Sequence, residues 1–156
     1  MTTMRPMLVN DILHLNSVNL ESWTETFSTS FYLRQLAKFP ECCVVAEVAD
    51  GSIAGYIIGA VEGQGTELHG HVTVIAVAPE FRRTGVANRL LEHFEEVSER
   101  VFDCYFVDLF VRPSNTAAVA FYQSLGYIIY RTVPISGSAE EEHHMRKPLA
   151  RDEEHK

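Results

Sequence analysis

HVTVIAVAPEFRRTGVA, from His71 to Ala87, reads as a strand, a turn and the opening of a helix. Val72, Val74 and Ala76 alternate with His71, Thr73, Ile75 and Val77, the two-residue period of a strand with unlike faces. Pro79 ends the ladder because it has no N–H to donate. From Val86 onward, Val86, Leu90, Leu91, Phe94 and Val97 recur at helical spacing. Arg82, Arg83, Thr84 and Gly85 therefore stand at a helix start, where unpaired N–H groups and the positive end of the dipole favour an anion. Gly85 lets the backbone approach phosphate closely, and the small Ala87 does not crowd it. The segment is a candidate pyrophosphate cradle. Neither the GxxxxGK(S/T) nor the GxGxxG spacing is present, which argues against ATP and dinucleotides.

A second segment has the same layout. Tyr105–Val111 is a short run rich in β-branched and aromatic residues, consistent with a buried strand. Pro113-Ser114-Asn115 breaks it, and Asn115 is a good helix N-cap. The helix predicted over Thr116–Leu125 ends at Gly126, the usual residue just past a helix C-terminus. Tyr122 lies on that helix, where an aromatic can equally be a residue packed on the sheet.

The 156 residues, 46% of them hydrophobic, make one domain large enough to bury most of its unfolded surface. The N-terminal MTTMRPML has no continuous apolar stretch, and no later run approaches bilayer-spanning length, so the expectation is a cytoplasmic protein without membrane contact. Three cysteines cannot all pair, and Cys42 and Cys43 are neighbours on a predicted strand, pointing to opposite faces. Free thiols in a reducing compartment follow, and none has metal-ligand spacing. A net charge of −8 argues against nucleic acid and suits a cationic substrate such as a protonated amine. Arg82 and Arg83 are then a local positive spot for an anionic one.

Elsewhere, Met4–Val9 reads as an edge strand, because Pro6 excludes it from a central position. Asn10 or Asp11 caps a helix through about Leu20, and Ser30 a second that ends before Pro40. Cys42–Val48 and Ile53–Glu62 form a hairpin across Asp50-Gly51. A final strand pair lies near Tyr127–Val133 and His144–Lys147. The order is β-α-α-β-β-β-α-β-α-β-β, an α+β mixed sheet with helices on both faces. Residues 1–149 form a single domain and residues 150–156 a charged tail that frays.

Arg82-x-x-Gly85-x-Ala87 resembles the R/Q-x-x-G-x-G/A signature of the GNAT superfamily of N-acetyltransferases. Asn115-x-x-Ala118-x-x-x-Tyr122, followed by Leu125-Gly126-Tyr127, resembles its other signature. The resemblance implies the GNAT acyl-CoA N-acyltransferase fold, a mostly antiparallel twisted sheet of about seven strands. It implies acetyl-CoA as the acetyl donor and no metal. It places acetyl-CoA on Ile75, Ala76, Val77, Arg82, Arg83, Thr84, Gly85, Val86, Ala87 and Asn115. Tyr122 is then also at the cofactor, near the thioester sulfur, as the acid for the departing thiolate.

Longer stretches are similar to the catalytic-subunit family of the NatB N-terminal acetyltransferase. They include MTTMRPMLVNDILHLNSVNLESWTETF, HGHVT, VAPEFRRTG, VDLFVRPSN and YRTV, across roughly residues 1–133, and Met145-Arg146-Lys147. That family acetylates the α-amino group of nascent proteins that keep methionine and carry Asp, Glu, Asn or Gln second. It is cytosolic and works on the ribosome with a large helical-repeat auxiliary subunit, without direct nucleic-acid contact. By this resemblance Glu25 and Phe27 lie in the peptide-contacting loop, while His71 and Thr73 recognise the second side chain. As i and i+2 on a strand, His71 and Thr73 share a face, and both can donate to a carboxylate or amide oxygen. His69 carries no comparable argument. Two departures stand out: Phe27 replaces a usual tyrosine, and Pro134-Ile135-Ser136-Gly137 stands where the family has a tyrosine pair. Glu140-Glu141-Glu142 reads as a solvated loop run that could meet the substrate's ammonium. Two other readings stay open, a GNAT enzyme acting on lysine or a small amine, and a non-enzymatic acyl-CoA-binding subunit.

Overall fold

The computed structural model describes residues 2–15, 18 and 28–153. Among them, seven strands form one sheet: β1 (Thr2–Pro6), β2 (Cys43–Val48), β3 (Ile53–Glu62), β4 (His69–Val77), β5 (Phe106–Val111), β6 (Ile128–Pro134) and β7 (Glu141–Pro148). Their spatial order is β1-β2-β3-β4-β5-β7-β6, and every pairing is antiparallel except β4 with β5. The helices are α1 (Val9–Ile12), α2 (Thr29–Lys38), α3 (Val86–Arg100), α4 (Thr116–Ser124) and α5 (Ala150–Glu153). This is the expected α+β arrangement and the expected element order.

Strands β2, β3 and β4 are buried on both faces. Leu90, Leu91 and Phe94 of α3 pack with Ile57, Val72, Val107, Leu109 and Met145 on one side. Ile12 and Tyr32 pack with Tyr56, Ile58, Val74 and Ala76 on the other. Cys42 belongs to the first cluster and Cys43 to the second, although Cys42 closes a 3-10 turn and the strand expected from Cys42 begins at Cys43. Both are free, with Cys104, and burial pushes the Cys42 thiol up to about 12 and the other two to about 11. Such thiols are poor nucleophiles at neutral pH.

Two registers shape the functional end. The parallel β4–β5 ladder has only three pairs, His69–Phe106, Gly70–Val107 and His71–Asp108. Beyond them each strand keeps only its outer neighbour, β3 for β4 and β7 for β5, so the carboxyl ends have no ladder between them. Within β4, Val72 faces Gly59 and Val74 faces Ile58, so Thr73 is an extra residue in a β-bulge. The bulge corrects the simple alternation. Val72, Val74 and Ala76 are all buried, but Val72 joins the α3 cluster while Val74 and Ala76 join the opposite one. Two-residue periodicity across Thr73 therefore no longer guarantees that His71 and Thr73 share a face.

Several boundaries differ from the sequence expectation. The first strand is Thr2–Pro6, still at the sheet edge. Leu8 rather than Asn10 or Asp11 caps α1, and Asp11, three residues on, accepts the Leu8 N–H at 2.7 Å. The same carboxylate takes both terminal nitrogens of Arg5 at 2.8 Å, which ties β1 to α1. Helix α1 stops at Ile12, and part of the span predicted to Leu20 lies outside the described residues. Ser28, with extended backbone, caps α2 through the Phe31 N–H at 3.2 Å, whereas Ser30 is already helical. Glu141 and Glu142 belong to β7 rather than to a loop, because they pair with Pro134 and Val133. The start of the tail is a helical turn, where the Ala150 N–H donates to Glu99 and Arg151 to the Asp103 carbonyl.

Candidate active site

The turn from Pro79 to Gly85 lies where the sequence suggests an anion cradle. Its backbone reverses through two left-handed residues, Arg83 at φ +62° and Gly85 at φ +84°. A left-handed arginine is costly, a cost that persists only where the surroundings require that shape. Successive turns of this kind direct N–H groups to one concavity that suits an anion. Gly85 is the N-cap of α3, which has no side-chain cap and no acidic residue in its first turn. A β-carbon built on Gly85 would meet nothing within 4 Å, so the space above the helix start is open. Arg82 and Arg83 are exposed beside it. These features fit a diphosphate.

The parted carboxyl ends of β4 and β5 open into a cleft of about 1020 Å³. Ile75, Ala76 and Val77 line it from β4, and Arg82, Arg83, Gly85, Val86 and Ala87 from the cradle. Asn115 and Tyr122 line it from α4. Thr84 does not, since its hydroxyl donates back to the Phe81 carbonyl. Asn115 caps α4 by accepting the Ala118 N–H at 3.3 Å, which leaves its side-chain NH₂ for the cleft. The Tyr122 ring packs edge-on to Tyr127, and burial alone pushes its phenol up to about 12. It is a proton donor throughout the neutral range. In parallel and mixed sheets, ligands enter where neighbouring strands part at their carboxyl ends.

His71 and Thr73 line the same cleft. His71 is not isolated, because its Nδ1 lies 2.7 Å from Asp108 Oδ1, directly across the parallel ladder. The other Asp108 oxygen is 2.7 Å from His144 Nε2 on β7. His69 Nε2 approaches Asp108 Oδ2 to 3.4 Å, while its Nδ1 bonds the Glu67 carbonyl and its ring stacks on Phe106. Burial disfavours the Asp108 charge, but the hydrogen bond and charge of His71, with His144 and His69, hold its carboxyl below the usual range. Burial likewise disfavours the His71 cation. The bond to Asp108 and the charges of Asp108, Glu62 and Glu142 outweigh it and raise the imidazole above its ordinary value. Glu142 lines the cleft from β7, as does Phe110 from β5. Glu25 and Phe27 lie outside the described residues.

Asp108, Phe110 and His144 were not anticipated. One signal was available for Asp108, since a lone carboxylate inside the apolar run Phe106–Val111 is seldom buried without partners. His144 had none, because its relation to Asp108 exists only through β7 pairing. Among the described residues no group of three or more histidine, cysteine or carboxylate side chains is arranged to hold a metal ion. No described helix is long and apolar enough to cross a membrane.

Residues 10–127 match the Acetyltransferase (GNAT) family. The chain belongs to the GNAT acetyltransferases. Within that family it is 50% identical to the N-terminal acetyltransferase B complex catalytic subunit NAA20 of Arabidopsis thaliana, over 100% of this chain and 90% of the relative. It is 49% identical to N-alpha-acetyltransferase 20 of Dictyostelium discoideum, over 100% of this chain and 91% of that protein. The fold agrees with Chaetomium thermophilum Naa20 in complex with a bisubstrate analogue, at a TM-score of 0.89 and 39% identity, covering 97% of this chain and 89% of that one. It agrees also with a chain of the NatB acetyltransferase complex bound to CoA and MES, at a TM-score of 0.87 and 34% identity over 95% and 99% of the two chains. Such identity over the whole chain places this GNAT enzyme in the NatB catalytic-subunit family. The seven-stranded sheet and acetyl-CoA chemistry follow from that membership.

Proposed function

We propose that the chain transfers acetyl from acetyl-CoA directly to the α-amino group of protein N-termini that begin with methionine followed by Asp, Glu, Asn or Gln. The observation that carries this reading is one cleft with an anion cradle at Gly85 and a buried-carboxylate-supported histidine, His71, on its wall. Arg82, Arg83, Gly85 and the first turn of α3 hold the diphosphate. Asn115 and the β4 backbone from Ile75 to Val77 hold the remainder of the acetyl-CoA chain. Thr84, Val86 and Ala87 shape the turn around it.

The amine attacks the thioester carbonyl, the C–S bond breaks, and the leaving thiolate takes a proton from Tyr122, while the proton that the nitrogen gives up passes through water and restores the phenol. A terminal amine with a reference pKa near 8 is already about one-tenth neutral at pH 7, so modest deprotonation suffices. Positioning of amine and thioester supplies most of the acceleration. His71 and Thr73 read the second side chain, and Glu25 and Phe27 contact the peptide. A site built from such donors rejects an apolar second residue, which would leave them unpaired. The chain acts in the cytosol as the catalytic subunit of a complex, with a large helical-repeat auxiliary subunit that brings it to the ribosome.

Acetyl transfer to peptides that differ only in their first two residues tests this, beside one peptide with a blocked N-terminus and a free lysine. Preference for Met-Asp, Met-Glu, Met-Asn and Met-Gln is expected. Transfer to the blocked peptide would move the enzyme to the lysine-directed class.

A further inference from the structure

We infer that Asp108 and His144 are positioning residues that hold His71 with its Nε2 toward the substrate's second side chain, and that the protonation state of His71 selects acidic over amide second residues. This rests on the peptide specificity proposed above and deepens it.

An ionised carboxylate only accepts hydrogen bonds. Both nitrogens 2.7 Å from Asp108 therefore carry protons, Nδ1–H of His71 at Oδ1 and Nε2–H of His144 at Oδ2. The Nδ1 of His144 is buried and has no hydrogen-bond partner among the described residues, so Asp108 is the one polar group that fixes the ring there. Phe110 stacks on the ring at 4.7 Å and Tyr130 meets it edge-on, which holds its plane. His144 is thus a fixed donor to Asp108. His71 is the group that charges, and with Nδ1 committed to Asp108 its Nε2 is the atom left for the cleft it lines.

The surroundings of His71 come from four strands. Glu62 lies on β3, His69 on β4 itself, Asp108 on β5, and Glu142 with His144 on β7. The three carboxylates favour the imidazolium, and burial opposes it. Protonated His71 offers Nε2–H to a carboxylate. Neutral His71 presents a lone pair there, which a carboxylate repels. A side-chain amide has both a donor and an acceptor and can satisfy either state. Acidic second residues therefore need the cation, whereas Asn and Gln do not.

The experiment measures kcat/KM for Met-Asp and Met-Asn peptides from pH 5.5 to 9, with the full chain co-expressed with its auxiliary subunit. Terminal-amine ionisation is common to both peptides and cancels in the ratio. The Met-Asp to Met-Asn ratio is expected to fall about tenfold per pH unit above the His71 midpoint. Asp108→Asn moves that midpoint down because the favourable charge is gone. His144→Phe keeps the ring stack but leaves Asp108 with one donor fewer, so the carboxylate holds the His71 proton harder and the midpoint moves up. His69→Gln leaves the transition in place. NMR titration of His71 in the wild type supplies the same midpoint should Asp108→Asn not fold. A ratio flat with pH, or a transition lost in His69→Gln, overturns the proposal. So does a rise of both peptides together beyond the amine's own ionisation, which would make His71 the base. Transfer to neither peptide while another sequence is acetylated would instead refute the underlying specificity.

Discussion

Gly85→Ala separates the cost of a left-handed turn from the loss of an anion cradle. Gly85 sits at φ +84°, and a β-carbon there would touch nothing within 4 Å. The stability cost is therefore backbone strain alone, about 1–2 kcal/mol for an L-residue in this region. The stiffer unfolded chain returns about 0.4–1 kcal/mol, so the net loss is near 1 kcal/mol, or about 2–4 °C in Tm. Gly51 is a matched control. It lies at φ +90° in the β2–β3 turn, is equally open, and does not line the cleft. Both variants should lose the same small amount of stability. Only Gly85→Ala adds a methyl above the α3 N-terminus, where the diphosphate would approach, or relaxes away from the shape that aims its N–H groups. The expectation is acetyl-CoA binding at least about tenfold weaker, near 1.4 kcal/mol, by isothermal titration calorimetry. Gly51→Ala should leave that affinity unchanged. Equal affinity losses in the two variants, or none in Gly85→Ala, would show Gly85 to be a turn residue and nothing more.

Tyr122→Phe should lower kcat about 10²-fold, with acetyl-CoA affinity and Tm nearly unchanged, because it removes a donor and no packing. As burial pushes this phenol up to about 12, it remains protonated through pH 10, and kinetics to that pH should show no alkaline loss from it. Asp11→Asn tests the clasp between β1 and α1. The hydrogen bonds from Arg5 outweigh burial and hold the Asp11 carboxyl below its ordinary value. Its stabilisation is therefore complete above the unfolded carboxyl pKa and fades as pH falls through the folded one. Urea unfolding should show the variant about 2 kcal/mol weaker at pH 7, with the difference closing below about pH 4.

Much of the acetyl-CoA end was legible in the chain because its determinants are local. A strand-breaking Pro79, a glycine required at positive φ, two arginines and a helix with a clear apolar stripe follow one another within about thirty residues. Asn115 capping α4 and Gly126 just past it are of the same kind, set by backbone groups a few positions away. The hairpin at Asp50-Gly51 and the divergent placement of Cys42 and Cys43 also follow from short-range geometry. Caps were less legible. Ser28 and Ser30, or Asn10 and Asp11, carry similar chemistry, and only the backbone angles separate them.

The peptide end depends on register. Alternation within β4 cannot reveal that Thr73 is an extra residue, since a bulge is defined by the strand opposite. The cleft exists because the β4–β5 ladder stops after three pairs, a feature of two strands more than thirty residues apart. His71, Asp108 and His144 meet only when β4, β5 and β7 lie side by side. Motifs along the chain carried the resemblance to the family, the fold it implies and the candidate anion cradle, because each motif spans residues close in sequence. The tertiary structure alone decided which histidine is held and by which carboxylate, because burial and hydrogen bonding between distant strands have no signature along the chain.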